Sequence, residues 1–470
     1  MYILVLEAST TSAKAMLYNT SNGTFEVETK RYEYDFDDVT VHNAEYMYQL
    51  MLAVGRTLTK DKKIDIISLG GTWHSLLLCD KNMVPTTPVY LWSYTGANEV
   101  CKELRKDEKY VKDFYKKTGC MVNAIYPFFK LLFLKKQGHK LEDYYIMGQG
   151  SYNNYRMTGE RVTTPCLASG TGLLNTHTIK FDKELLSELG IQEEQLSRLV
   201  NYKKTFPLKE KAANLLGIEP GIPVIPTNSD GGLNQIGSGA IEEGVMTFSA
   251  GTSGAIRLTT NKPLIPDEPS TWCYMSPKNW LSGAATNGCC NCIDWFKQRI
   301  FSENVSYEDI EKNIKDKVTT PVFLPFIFGE RSPGWNDERL GGFLSVKPYH
   351  IANDFYRGIQ EGVLFNLYHC YKILVEVNGP PKEIKLSGGI LNSKEWTQMC
   401  ADIFQTELSI DRNKHSSLLG GAILAMEIIG IIKDVKDFDF GQKNIIKPNY
   451  EMIEIYNKKF SNYLISYYNN

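Results

Sequence analysis

No stretch of the sequence approaches the ~18 consecutive apolar residues that a membrane-spanning helix needs, so no membrane span is expected. Met1 to Leu6 form an apolar, strand-like run that enters a polar turn directly. No basic segment precedes a longer apolar one, and no signal peptide is expected. Positive charge is not in surplus: 52 Lys and Arg stand against 54 Asp and Glu, a net charge of -2. Phosphate neutralisation needs clustered cations, which excludes nucleic acid as the main partner. The pattern G-x-x-x-x-G-K-[ST] is absent, so the chain is not a P-loop protein. G-x-G-x-x-G is absent too, which removes the usual dinucleotide fingerprint. Cysteine is scattered, 10 residues in a chain too long to need stapling, which points to reduced thiols and a cytoplasmic location. The one cluster, Cys289, Cys290 and Cys292, has no second pair at zinc-binding spacing. It reads as small residues in a packed turn beside Asp294 and Trp295.

What is present is enough chain for two good-sized domains. Hydrophobic content of 43% and charged content of 23% are those of an ordinary globular protein. No low-complexity linker marks a boundary, but a weak internal repeat does. Ile3-Leu4-Val5-Leu6 is followed by a turn, Glu7 to Ser12, and a second apolar run, Ala13 to Tyr18. Half a chain later, Val245-Met246-Thr247-Phe248 is followed by Ser249 to Gly254 and Ala255 to Leu258. Each copy reads strand, small hydroxyl-rich turn, strand, as if two domains opened with the same hairpin. Ile66 to Leu69 and Pro223 to Pro226 read as buried strands. Phe355, Ile359, Val363 and Leu367 recur every four residues and predict an amphipathic helix, stopped by Asn378-Gly379-Pro380-Pro381. Glu383 to Leu386 predicts a short strand, and Asn392 with Glu395 a capping box for the helix beyond. The fold class expected is α/β, in two domains of residues 1–243 and 244–470.

A phosphate site needs close-set backbone N–H donors, small side chains and hydroxyls. The turns holding Thr10, Thr11 and Ser12 and holding Gly251, Thr252, Ser253 and Gly254 both have that character. One such turn is matched by a plain hairpin; two in repeated settings suit one nucleotide held between two domains. Glu7 ends the first strand, where a carboxylate can hold Mg²⁺ against nucleotide phosphates or simply be solvated. Asp230, in Asn228-Ser229-Asp230-Gly231-Gly232, follows an apolar strand and precedes a helix, where α/β proteins carry catalytic groups. Phosphoryl transfer to a hydroxyl asks for such a carboxylate, although an ordinary turn Asp reads the same way. Gly388-Gly389 would let a flat adenine ring lie against the backbone, or is a tight turn.

Taken in order, these segments resemble the FGGY carbohydrate kinase family, which includes glycerol, xylulose and gluconate kinases, and the match covers nearly the whole chain. Glu7 to Lys14 resembles that family's first phosphate motif, Asp-x-Gly-Thr-Thr-Ser-x-Lys, with Glu7 for Asp and Ala8 for Gly. Pro127-x-x-Lys130, followed by Phe133 and Gln137, resembles its first signature, with Phe133 where Trp is usual. Thr158-Gly159-Glu160, Ala168 to Thr171 with Leu173 and Leu174, Gly329-Glu330-Arg331-Ser332-Pro333 and Glu361-Gly362-Val363 fit further landmarks. Ser387-Gly388-Gly389 through Trp396, Ala401 and Asp402 resembles the adenosine motif. The resemblance implies an actin-like, ribonuclease H-like fold in each domain, with ATP in the cleft between them and sugar mainly on the first. It implies Asp230 as general base and Glu7 as a carboxylate on the Mg²⁺ side. It implies phosphate contacts from Thr10, Thr11, Ser12, Lys14, Gly251, Thr252 and Ser253, and adenosine near Gly388, Gly389, Asn392 and Ser393.

On the sugar side, Gly71-Thr72-Trp73-His74-Ser75 aligns with the family's Gly-Gln-Met-His-Gly segment. Its His-Ser pair resembles gluconate kinases, as do Ser229-Asp230-Gly231 and Gly251 to Arg257, whereas Cys292-Ile293-Asp294-Trp295 is similar to xylulose kinases. The family's Trp-x-Asp-x-Arg reads Trp92-Ser93-Tyr94-Thr95-Gly96 here, so both polar residues near substrate are missing. Buried partners of substrate hydroxyls discriminate strongly. Substrate contacts are expected from Thr72, Trp73, His74, Trp92, Asn228 and Asp230. The function expected is ATP-dependent phosphorylation of a small sugar or sugar acid, gluconate first and xylulose or another pentulose second, with a homodimer as the assembly to test. From a different class stands a catalytically silent nucleotide-binding sensor, suggested by the altered Trp92 and Glu7-Ala8 segments. Retention of Asp230 and both phosphate turns argues against it. A filament-forming, actin-like role would leave the sugar-side landmarks without purpose and would call for long exposed apolar surface.

Overall fold

The first strand, Tyr2–Ala8, is apolar on both faces because both are covered. In the computed structural model, which describes residues 1–33, 36–314 and 319–469, this strand lies inside a six-stranded sheet. Ser12–Asn19 pairs with it antiparallel and Ile64–Gly71 parallel. Phe25–Arg31 extends the antiparallel side, and Pro223–Ser229 and Phe206–Pro207 extend the other. Side chains alternate between the faces of a strand. Leu4 and Leu6 therefore meet the helix Ala44–Thr59 through Met47 and Met51. Ile3 and Val5 meet Leu233, Ile236, Leu418, Ala422 and Ile423, from the helices Asp230–Gly237 and Ser416–Ile428.

A second sheet repeats this plan. Val245–Ala250 pairs antiparallel with Gly254–Thr260 and parallel with Glu383–Ser387. Trp280–Thr286 and Trp272–Met275 extend one side, Leu408–Ile410 and Asn444–Ile446 the other. The two hairpins of the sequence repeat hold equivalent places: each opens an antiparallel meander, and parallel strands are added beside its first strand. Met246, Phe248, Ile256 and Leu258 join a core built with Ala352–Asn378, Lys394–Phe404 and Tyr450–Asn469. The long helix of this group carries Phe355, Ile359, Val363 and Leu367 and stops at Gly379, whose φ is 75°. A third core, which no period in the sequence announced, gathers Trp73, Phe114, Phe128 and Phe129 with Trp272, Tyr274 and Trp335 from the second half of the chain.

The helix Lys394–Phe404 starts one residue later than the sequence pattern predicts. Asn392 ends a 3-10 turn, Gly389–Asn392, so Ser393 is the cap, its hydroxyl accepting the Trp396 N–H at 3.0 Å. All ten cysteines are unpaired. Among the described residues no helix is long and apolar enough to cross a membrane.

Ser416–Ile428 belongs to the second half by sequence but lies on the first sheet. It crosses Asp230–Gly237 at backbone distance. A Cβ added at Gly237 would lie 1.8 Å from the Ser416 carbonyl oxygen, and one at Gly420 would lie 2.0 Å from that of Leu233. Only a residue without a Cβ fits such an approach. Gly237→Ala should therefore destabilise the protein by about 1–3 kcal/mol, the range for overpacking, seen as a lower denaturant midpoint. Gly342→Ala, where nothing lies within 4 Å, should change stability by no more than about 0.5 kcal/mol.

Candidate active site

The strand Pro223–Ser229 runs alongside Gly70 and Gly71 of its parallel neighbour and turns at once into the helix Asp230–Gly237. Ser229 caps that helix, accepting the Gly232 N–H at 2.9 Å. Asp230 is thus the first helical residue, where the helix field favours a carboxylate, and its Oδ1 accepts the Gly231 N–H at 2.7 Å. Burial pushes the Asp230 carboxyl up to about 6, and the nearby Glu7 carboxylate adds to the rise. The Gly231 N–H, Lys14 and Arg257 oppose it. A carboxylate in that range is ionised at neutral pH and still a competent proton acceptor.

Glu7 and Lys14 sit directly opposite each other in the first hairpin, and Lys14 Nζ pairs with Glu7 Oε1 at 2.9 Å. Burial would lower the lysine, but Glu7 and Asp230 outweigh it and hold Lys14 raised and charged. Glu7 Oε2 is buried with no hydrogen-bond partner among the described residues. A lone carboxylate oxygen beside a phosphate-type turn fits Mg²⁺, which takes one or two carboxylates and completes its shell with water and phosphates. Among the described residues there is no cluster of three or more metal-ligating side chains, so protein ligands alone would not form a cage. In the first turn, Thr11 is exposed while Ser12 is buried against Ser9, their hydroxyls 3.2 Å apart.

Three loops converge at the residues expected to contact sugar. Trp92 Nε1 donates to Thr10 Oγ1 at 3.0 Å, tying the Trp92 segment to the first phosphate turn. His74, with φ 68°, has its Nδ1 2.5 Å from the Gly170 carbonyl. Burial drives the imidazole down to about 3, so it is neutral, donates through Nδ1 and keeps Nε2 as an acceptor. Lys130 is wholly buried, and its Nζ donates to the carbonyls of His74, Leu91 and Ile125 at 2.8, 2.6 and 3.0 Å. One amine thus fixes both the His74 loop and the start of the Trp92 segment. The sequence reading had Lys130 only as a family landmark. Thr72 and His74 also line a cavity of about 50 Å³.

Two more of the expected substrate contacts are buried. Asn228 is 0% exposed, and its Nδ2 donates to the Pro226 carbonyl, so it shapes the strand end. Trp73 is a buried wedge: its Nε1 donates to the Cys166 carbonyl at 2.7 Å, and Gly231 and Gly170 leave room for its ring. Tyr94, in place of the missing Asp, packs on Tyr90 and Phe133. The positive charge beside Trp92 comes from the other half of the chain, with Arg331 5.8 Å from the ring centre.

On the nucleotide side, Thr252 and Ser253 are exposed at the tip of the second hairpin. Gly388, φ 99°, abuts the strand before that tip: a Cβ there would lie 2.4 Å from the Ala250 carbonyl oxygen. The second phosphate turn and the Gly388-Gly389 turn are therefore adjacent, and Cys290 lies with them, its Sγ 3.5 Å from the same carbonyl. Ser393 is engaged as a helix cap and donates to Glu311 Oε2 at 2.9 Å, while Asn392 is exposed.

Two sheets of matching plan, a carboxylate at a helix start between them and a phosphate-type turn on each define a two-domain phosphotransferase. A model of the FGGY family of carbohydrate kinases matches residues 2–237 with its N-terminal domain and 246–427 with its C-terminal domain. The chain belongs to this family of ATP-dependent sugar kinases. It is similar to the gluconokinase of Bacillus subtilis (strain 168), 29% identical over 455 residues covering 92% of this chain and 88% of that protein. Among solved structures, a ligand-bound xylulose kinase from Lactobacillus acidophilus matches with a TM-score of 0.94 at 29% identity, covering 98% of this chain and 97% of that one. A gluconate kinase from the same species matches with a TM-score of 0.93 at 29% identity, over 98% and 96%.

With Asp230 as the expected base, which must be ionised to accept a proton, kcat/KM should fall toward acid pH with an apparent pKa near 6. Glu7→Gln removes a neighbouring negative charge and should move that acid limb to lower pH, whatever it does to the plateau. Lys130→Met should raise the KM for sugar several-fold or more while the KM for ATP stays close to wild type, as two-substrate kinetics would show.

Proposed function

We propose that this protein transfers the γ-phosphoryl group of ATP to a hydroxyl of gluconate or a closely related sugar acid, with Asp230 as the base. The observation that carries the reading is the place of Asp230: partly buried at a helix start, within reach of the charges of Glu7 and Lys14 from the first sheet and of Arg257 from the second. The substrate hydroxyl donates to the Asp230 carboxylate. As its oxygen bonds to the γ-phosphorus and the bond to the ADP oxygen breaks, the proton passes to Asp230. Lys14 would offset charge beside the first phosphate turn, and the exposed Thr11, Thr252 and Ser253 would donate to phosphate oxygens. Glu7 Oε2 is the atom to hold Mg²⁺, which when bound neutralises phosphate charge. Closing a cleft between the two sheets would exclude water, so that sugar rather than water attacks.

Gluconate is favoured over a pentulose by the similarity to a gluconokinase across most of both chains and by the gluconate-kinase-like stretch from Gly251 to Arg257. The xylulose kinase neighbour of equal identity keeps a pentulose as the second reading. The cytosol, where ATP and phosphorylated sugars are kept, suits a chain with ten unpaired cysteines.

A coupled ADP-release assay with ATP and Mg²⁺ across gluconate, xylulose, ribulose, glycerol and erythritol should give its highest kcat/KM with gluconate. Asp230→Asn should lower turnover roughly 10²–10⁴-fold, the usual range for losing a general base, with ATP binding retained. Near-normal turnover in that variant would remove the assignment, and silence of the wild type across the panel with ATP still bound would favour a sensor.

A further inference from the structure

Two guanidinium groups near the site each keep a buried Nε without a partner among the described residues. Arg257 lies on the strand Gly254–Thr260, where alternation sends Ile256 and Leu258 into the core and Arg257 to the opposite face. Gln235, on the Asp230 helix, fixes that face. Its Nε2 donates to the Arg257 carbonyl at 3.1 Å and to Thr259 Oγ1 at 3.0 Å, and its Oε1 accepts from Thr247 Oγ1 at 2.8 Å. The Arg257 side chain is thereby carried beside Asp230. Among the described residues its guanidinium makes one hydrogen bond, Nη1 to Ser249 Oγ at 3.3 Å, and its Nε is buried without a partner. Arg331 Nε is likewise buried and unpartnered, and that guanidinium stands 5.8 Å from the ring centres of both Trp92 and Trp335.

Neither arginine forms an ion pair with a carboxylate among the described residues. They are close enough to feel each other: burial depresses Arg257, Asp230 opposes this, and the Arg331 charge reinforces it. The Arg331 charge also reaches His74 and the two tyrosines packed on it, Tyr126 and Tyr274. Two neighbouring cations with buried N–H groups unused are costly unless an anion joins them, and the guanidinium fork matches a carboxylate.

We propose that Arg257 and Arg331 hold the carboxylate of the sugar acid, and so set the preference of this site for an anionic substrate over a neutral polyol or ketose. This rests on the sugar-kinase reading above and names the residues that choose the substrate. Arg331 stands over the Trp92 ring, and its charge reaches both His74 and Arg257, which favours the substrate's carboxylate as the ligand of the pair. They also supply a positive group beside Trp92, where the usual Arg of that segment is missing.

The test compares gluconate with glucitol, which replaces the carboxylate by a hydroxymethyl group and keeps the rest of the chain. Arg257→Leu should lower kcat/KM for gluconate by roughly 10²-fold or more, as expected on removing one partner of a buried charge pair. The loss on glucitol should be at least ten-fold smaller, and the KM for ATP should stay within about three-fold of wild type. Arg257→Lys, which keeps the charge without the fork, should recover part of the gluconate rate, and thermal melting of each variant checks the fold. Calorimetric titration of gluconate without ATP should show the same selective loss. Equal losses on both substrates, or a raised KM for ATP, would overturn the assignment and give the arginines to the transferred phosphate. A wild type that phosphorylates xylulose but neither gluconate nor any other aldonate would overturn the substrate reading itself, and the assignment with it.

Discussion

The contact on which the rest of this structure depends is the crossing of two helices at glycine. Gly237 and Gly420 let the Asp230 helix and the helix Ser416–Ile428 touch through their backbones, with both apolar faces against Ile3 and Val5 of the first sheet. The Asp230 helix is also tied to the second sheet. Gln235 bonds to Thr247 and Thr259 in the middle of the helix, and Lys385 donates to the Ser238 carbonyl at 2.8 Å at its end. A cation there suits the negative end of a helix. A short helix held by both sheets gives its first residue a defined place between them. Catalysis of phosphoryl transfer is mostly positioning and electrostatics, so this anchoring is the structural half of the mechanism.

Electrostatics is the other half. Asp230 and Glu7 are like charges close enough to raise the former, and Lys14 opposes that rise. The arrangement resembles a carboxylate pair in which one member is tuned toward proton transfer while the other stays with a cation. Arg257 and Arg331 carry positive charge nearby, and the proposal gives them the anion while Asp230 takes the proton. His74, kept neutral by burial, adds an acceptor without adding charge.

The parts of this account that were legible in the sequence are those written in short, contiguous patterns. The hairpin repeat, the helix through Phe355 and Leu367 and the strand before Asp230 each depend on local period and turn chemistry, and all occupy the elements expected. The packing between halves was not legible. No local pattern says that Ser416–Ile428 leaves its own sheet for the other, or that Trp272, Tyr274 and Trp335 complete a core begun at Trp73. The burial of Asn228 and Trp73 was not legible either, since residue type beside a catalytic motif does not reveal which way a side chain turns. At Ser393 an intervening 3-10 turn moved the cap by one. Lys130, Arg257 and Arg331 were in view as family landmarks or likenesses, but their work appears only once the carbonyls, rings and unpaired N–H groups around them are known.

The central claim is that one bound sugar acid places a hydroxyl on Asp230 and its carboxylate on the two arginines. A crystal structure with gluconate and a non-hydrolysable ATP analogue tests it most directly. The account predicts a terminal hydroxyl within hydrogen-bond reach of an Asp230 carboxylate oxygen, about 2.6–3.2 Å, with the carboxylate paired to Arg257 and Arg331. Gluconate bound with its carboxylate away from both arginines, or with no hydroxyl at Asp230, would contradict it.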